Sequence, residues 1–230
     1  MAYIEFKNVN KIYDKNTNFK VLKKITFEIE KSEFITITGA KASGKTTLLN
    51  LLNKTLNVTS GSILVDNYDI TNFNNKQATK YRKEVVSSCL KGFSLISNLT
   101  IKENIELLEK ENDKKNINII IKKLGLTKVE NKFPSELSSS YAKLADIARS
   151  LAKKPSIILF DELDLHDKKD LKNVFTLLFN MIKKDNLTVI MITENPDIIS
   201  LSNKVITLKN GAIDNIKINK KPKLVGDLNW

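Results

Sequence analysis

Little in this sequence can hold a transition metal or a disulfide. Its 230 residues include one cysteine, Cys89, and one histidine, His166. A single thiol excludes an internal disulfide and a cysteine metal cluster, and it fits a reducing compartment. Arginine occurs only as Arg82 and Arg149, so the side chain best suited to gripping phosphates and base edges is scarce. Aromatic residues make up 7% of the chain, and no basic block is interleaved with them. A nucleic-acid partner is therefore not expected, although the net charge is +12. The lysines are scattered and read as solvated surface. No stretch approaches the ~20 apolar residues of a membrane span. The opening "MAYIEFKNVNKIY" lacks the apolar core of a signal peptide. The expectation is a soluble, cytoplasmic chain that meets a membrane only through a partner.

What is present is ordered by period. "YIEFKNV", "ITFEIE" and "FITITG" alternate at period two and predict strands, with a turn at "DKNTN" between the first two. After Gly44 the period changes, and "KTTLLNLLNKTL" predicts a helix. "GSILVDNYDI" reads as a strand pair. From about residue 76 to 145 the helical patterns "IKENIELLEK" and "INIIIKKLGL" mark a helical subdomain, and "ELSSSYAKLADIARSL", Glu136 to Leu151, ends in a further helical pattern that carries Arg149. "SIILFDE" and "LTVIMITEN" are short β-branched runs of the kind found in buried parallel strands, with a helix over about 169–183 between them. "KVITLKNGAI" predicts a hairpin turning at Asn210-Gly211. The predicted fold is α/β: a P-loop core with a mostly parallel sheet, an N-terminal antiparallel β lobe and a helical subdomain. One domain is expected over 1–217, with a loosely held polar tail over 218–230 that ends in Trp230.

The chemistry starts at "GAKASGKTT", the run Gly39, Ala40, Lys41, Ala42, Ser43, Gly44, Lys45, Thr46 and Thr47. It fits G-x-x-x-x-G-K-[ST] and stands between a predicted strand and a predicted helix, as a phosphate-binding loop must. Glycines let backbone N–H groups curl toward an anion, and the helix N-terminus adds unpaired donors. Lys45 is placed to neutralise the β- and γ-phosphates of ATP, and the Thr46 hydroxyl to ligate Mg2+. "SIILFDE" supplies carboxylates at the end of a neighbouring strand. Asp161 would hold Mg2+ through its water shell, and Glu162 would orient or deprotonate a water. The alternative for these two carboxylates is that they merely cap the following helix.

Taken in order, the motifs resemble the nucleotide-binding subunits of ABC transporters, nearest the lipoprotein-release, macrolide-export and cell-division subgroup. The resemblance runs over about residues 2–215. Tyr13 in "NKIYDK" matches the aromatic that stacks on adenine. "FSLISNLTIKENI" matches the stretch facing the membrane subunit. "FPSELSSSYAKLADIARSLAKKPSIILFDE" matches the signature region running into Walker B. The resemblance implies two such subunits facing head to tail, each ATP lying between one subunit's Walker A loop and the other's signature loop. Closure on ATP and opening after hydrolysis would drive membrane-spanning subunits.

Departures from the family pattern bear on activity. Lys91 stands where the family has glutamine, Leu137-Ser138-Ser139-Ser140-Tyr141 replaces LSGGQ, and Glu194 replaces a histidine. Ser138 keeps a hydroxyl for the partner's γ-phosphate, but Ser139 and Ser140 put Cβ atoms where glycines allow close approach. Glu194 would repel a γ-phosphate at contact distance by about 1–4 kcal/mol. A Lys91–Glu194 pair would offset that repulsion. His166, in "DELDLHD", does not replace the missing histidine. Two functions follow: an ABC-type ATPase driving a transporter, or a pseudo-ATPase that binds ATP and regulates a heteromeric complex. A homodimer would carry every departure in both sites, which favours a heterodimer. A small-molecule kinase would need an acceptor pocket with its own base, and no residues mark one. Cys89 reads as a small buried side chain.

Overall fold

Period-two alternation builds the first sheet. In the computed structural model, which describes residues 2–13, 19–90, 94–108 and 114–230, β1 (Ile4–Ile12) and β2 (Lys20–Ile29) pair antiparallel. β4 (Ser60–Val65) lies antiparallel on the other side of β1, and β5 (Tyr68–Asp69) completes the order β2-β1-β4-β5. The predicted turn at "DKNTN" lies outside the described residues.

The continuous apolar runs build the second sheet, of six strands. β3 (Phe34–Thr38), β6 (Val86–Cys89), β7 (Ile157–Asp161), β8 (Thr188–Ile192) and β9 (Lys204–Lys209) are parallel, and β10 (Ala212–Ile218) closes one edge as the antiparallel half of a hairpin. The order is β10-β9-β3-β8-β7-β6. Asn210 and Gly211 both have positive φ, 51° and 80°, as the predicted two-residue turn requires. Every residue of β3, β7 and β8 is buried, which explains why these strands do not alternate in polarity.

The pleat sorts these residues between two cores. Ile157 and Leu159 of β7 join Ile35, Ile37, Ile190 and Ile192 beneath the antiparallel sheet, together with Leu48 and Leu49 of α1 (Lys45–Leu52). Ile158 and Phe160 face the opposite way, toward the helical layer. There they meet α5 (Ser139–Ala152) and α6 (Lys168–Asp185), with α3 (Ile101–Glu106) and α4 (Lys114–Lys123) packed outside. Fully burying an Ile, Leu or Phe side chain contributes roughly 1.5–3 kcal/mol, so both cores fix the sheet from which the site projects.

Two features differ from the sequence reading. Inside the span read as helical, α2 (Asn75–Glu84) is followed by β6, an edge strand of the main sheet paired with β7. Its sequence, "VSSC", is too short and polar to announce a strand. The C-terminal tail is not loosely held. Leu228 is buried, the Trp230 ring stacks on Phe175 of α6 at 5.7 Å, and the Trp230 indole N–H donates to Val225 O at 2.6 Å. Among the described residues no helix is long and apolar enough to cross a membrane.

Candidate functional site

Strand register assembles the site. Ile37 of β3 and Asp161 of β7 both pair with Ile192 of β8, so the three strands end level. Gly39 lies two residues past that row, Glu162 one, and Glu194 two. Gly39 to Thr47, Asp161, Glu162 and Glu194 consequently line one cleft of about 980 Å³.

The loop needs its glycines. Gly39 has φ 134° and Gly44 has φ 102°. A Cβ on Gly39 would lie 2.1 Å from Leu208 O, and one on Gly44 would lie 2.6 Å from Leu22 Cδ2. Ala42 also holds a left-handed conformation, with φ 66°. The motif leaves that position free, so no local pattern announces it. A non-glycine residue there stores about 1–2 kcal/mol of strain. Ser43 is buried, and its Oγ has no hydrogen-bond partner among the described residues. A phosphate oxygen at the loop would accept from it.

Lys45 opens α1 with its ammonium folded back over the loop. Its Nζ donates to Gly39 O and, at 3.0 Å, to Ala40 O. Thr46 Oγ1 donates to Asp161 Oδ2 at 3.0 Å, and Asp161 is buried. A hydroxyl and a carboxylate held together in this way are hard oxygen donors, the set that suits Mg2+ beside phosphates. Asp161 is the last residue of β7 and does not cap a helix: α6 starts seven residues later and is capped by Asp167, which accepts from Lys169 N and Asp170 N. Glu162 has φ 62° and donates its N–H to Ile192 O at 3.2 Å, a strained turn that aims its side chain into the cleft.

The Glu194 carboxylate, two residues past β8, lies against the phosphate loop. Its Oε1 accepts the Gly39 N–H at 3.0 Å and lies 3.6 Å from Lys45 Nζ. The partners seen for Glu194 are thus the loop and its lysine. Lys91, the partner expected from sequence, lies outside the described residues.

Tyr13 is exposed, its hydroxyl 3.1 Å from Thr47 Oγ1 and the Lys11 ammonium 5.3 Å from its ring centre. Ser138 does not line the cleft; its Oγ caps α5 by accepting from Tyr141 N at 3.4 Å. Ser139 and Ser140 form the first turn of that helix and neither has positive φ, so glycine's freedom is not used here. His166 is exposed and pairs with Asp164 at 3.3 Å. Cys89 is fully buried among core residues, and burial pushes its thiol up to about 12.

One polar network had no sequence signature. Asn104 is fully buried and donates to Ile96 O, Leu99 O and Thr100 O while accepting from Ile96 N. Ser94 donates to the buried Asp146 of α5 and accepts from Arg149 at 2.7 Å. Residues 94–100 are thereby fastened to both α3 and α5.

The family described as "ABC transporter" matches residues 22–164. The putative ABC transporter ATP-binding protein MG065 homolog of Mycoplasma pneumoniae is 34% identical over 99% of this chain, which spans about half the length of that relative. The bacitracin export ATP-binding protein BceA of Halalkalibacterium halodurans is 33% identical over 93% of this chain and 87% of its own. Among solved structures, the dimeric bacterial ABC transporter cassette MJ0796 superposes with a TM-score of 0.86 at 29% identity, over 94% of this chain and 98% of that one.

Proposed function

This chain belongs to the ABC transporter family as an ATP-binding protein, and on that premise we propose that it binds Mg-ATP and hydrolyses it to drive separate membrane-spanning subunits. The observation that carries this reading is the Thr46–Asp161 hydrogen bond at the mouth of the phosphate loop, between residues 115 positions apart. Adenine would stack on Tyr13. The backbone N–H groups of Gly39 to Thr47 would wrap the phosphates, and Lys45 would turn from its carbonyl partners to the β- and γ-phosphates. Mg2+, held by Thr46 and Asp161, would neutralise phosphate charge.

In the chemical step a water oxygen bonds to the γ-phosphorus and the bridging β–γ oxygen leaves with ADP. Glu162 takes the water's proton, and inorganic phosphate is the second product. Glu162 suits that part because it turns into the cleft one residue past Asp161.

The active unit we propose is a head-to-tail pair of cassettes in which Ser138 meets the partner's γ-phosphate. The dimeric relative supports pairing. The presence of Glu194, Ser139 and Ser140 in each copy favours a heterodimer, in which one subunit supplies a less altered signature. The membrane-facing stretch would be Phe93 to Ile105, in which Ile96 is exposed. The protein would then lie on the cytoplasmic face of the membrane, held there by its partner.

The test is ATP turnover by the purified chain with nucleotide occupancy read in the same sample. Turnover that disappears in Glu162→Gln supports the reading. Occupied sites without turnover, even with its co-purifying partner present, would overturn hydrolysis as its role.

A further inference from the structure

The phosphate loop already carries an anion of its own. Glu194 Oε1 accepts the Gly39 N–H at 3.0 Å and lies 3.6 Å from Lys45 Nζ. The same ammonium donates to Gly39 O and Ala40 O, so the partners it shows are oxygens of the protein itself. Lys45 is nearly buried, with an 11% exposed side chain, whereas that of Glu194 is 61% exposed. The glutamate, far more open to solvent than the lysine, is the partner that can swing away.

The backbone delivering Glu194 is pinned on both sides. Thr193 N donates to Ile37 O at 3.2 Å, and Asn195 N donates to Thr193 Oγ1 at 3.1 Å. Asn195 also caps α7 (Pro196–Leu201), accepting from Asp197 N at 2.9 Å. Displacing the carboxylate is thus a side-chain movement that leaves the loop and strand ends in place.

We propose that Glu194 is a built-in competitor for the terminal phosphate, making the site prefer ADP over ATP relative to the same site without the charge. The inference rests on the loop being a nucleotide site. The α- and β-phosphates lie along the loop backbone, and the lysine reaches the β- and γ-phosphates. ADP brings no terminal phosphate to the position Glu194 guards. ATP does, and must push a carboxylate aside and then remain next to it. Two like charges about 4 Å apart at a largely solvated position amount to roughly a tenfold change in an equilibrium constant. The charge would thus raise by about tenfold the ATP-to-ADP ratio at which the free chain exchanges ADP for ATP.

The test is equilibrium binding by calorimetry of ADP and of the non-hydrolysable analogue adenylyl imidodiphosphate, with Mg2+ present. The wild-type chain is compared with Glu194→Gln, which keeps an acceptor for Gly39 but removes the charge, and with Glu194→Ser, which removes both. The expected result is an analogue affinity that rises about tenfold in both variants while ADP affinity moves less than twofold. A preference that stays the same, or affinities for both ligands that rise together, would overturn the proposal. If neither ligand binds wild type or variants, the nucleotide-site reading itself falls and this inference with it.

Discussion

Thr46 Oγ1 and Asp161 Oδ2 stand 3.0 Å apart, one at the first turn of α1 and the other at the last residue of β7. The bond closes the gap between two strand ends that β8 holds apart. In Asp161→Asn the acceptor for Mg2+ is neutralised while the shape is kept. Turnover should drop on the order of 10²-fold or more. The Mg2+ dependence of nucleotide binding should weaken with it, and circular dichroism should be unchanged.

Glu162→Gln keeps the left-handed turn and the cleft but loses the base. Loss of a general base slows turnover by about 10²–10⁴-fold. Nucleotide affinity should stay within a few-fold of wild type. A variant losing affinity and rate together would show Glu162 to be a binding group.

Two of the loop's positive-φ positions, Gly39 and Ala42, should respond in opposite directions. Gly39→Ala forces a Cβ to 2.1 Å from Leu208 O and should destabilise by about 1–3 kcal/mol or more. Ala42→Gly relieves about 1–2 kcal/mol of strain and loses roughly 0.5–1 kcal/mol to backbone entropy. A small net gain is expected. Urea midpoints would read both.

Cys89 gives a prediction about pH. Its thiol is pushed up to about 12 in the fold from an ordinary value of 9.0, first by burial and then by the nearby Asp146. Between those values the folded chain keeps a proton that the unfolded chain gives up. Stability from this group is complete below pH 9 and is lost as pH rises toward 12. At pH 8 a thiol reagent should therefore label the native protein only as fast as it unfolds, and labelling should become complete within mixing time in denaturant.

Trp230 is the only tryptophan, so its fluorescence reports the docked tail alone. Removing the ring in Trp230→Ala should cost about 0.5–1.5 kcal/mol through loss of the stack on Phe175, beyond the area exposed. In the wild-type chain the emission should shift to the red at the same urea concentration at which the helices melt.

The phosphate loop, Asp161 and the apolar strands were legible because each is a local pattern: a spacing, a run or a change of period. What sequence did not disclose depends on who meets whom. The neighbours of Glu194 follow from the shared register of β3, β8 and β7, which no local window contains. That Ser138 caps α5, with Ser139 and Ser140 in its first turn, likewise follows from the hydrogen bond to Tyr141 N and not from comparison with glycines. The docking of the tail has no local signature because Leu228 and Trp230 are isolated among polar residues, and Phe175, the partner of Trp230 on α6, comes some fifty positions earlier. β6 was hidden by two serines, and its place in the sheet comes from pairing with β7.

The central position of β8 makes the chain intolerant of one kind of change. Suppose a single residue were deleted within β8. Ile190 and Ile192 would trade faces with Val189 and Met191, so each core would receive the other's side chains. In the same stroke Glu194 would retreat by about 3.3 Å, the rise of one strand residue, and leave Gly39 and Lys45. Interior and cleft are measured off one ruler. Heritable length variation should therefore collect in the connections away from the level strand ends and stay out of β3, β7 and β8, even though β8 itself lends the cleft no side chain.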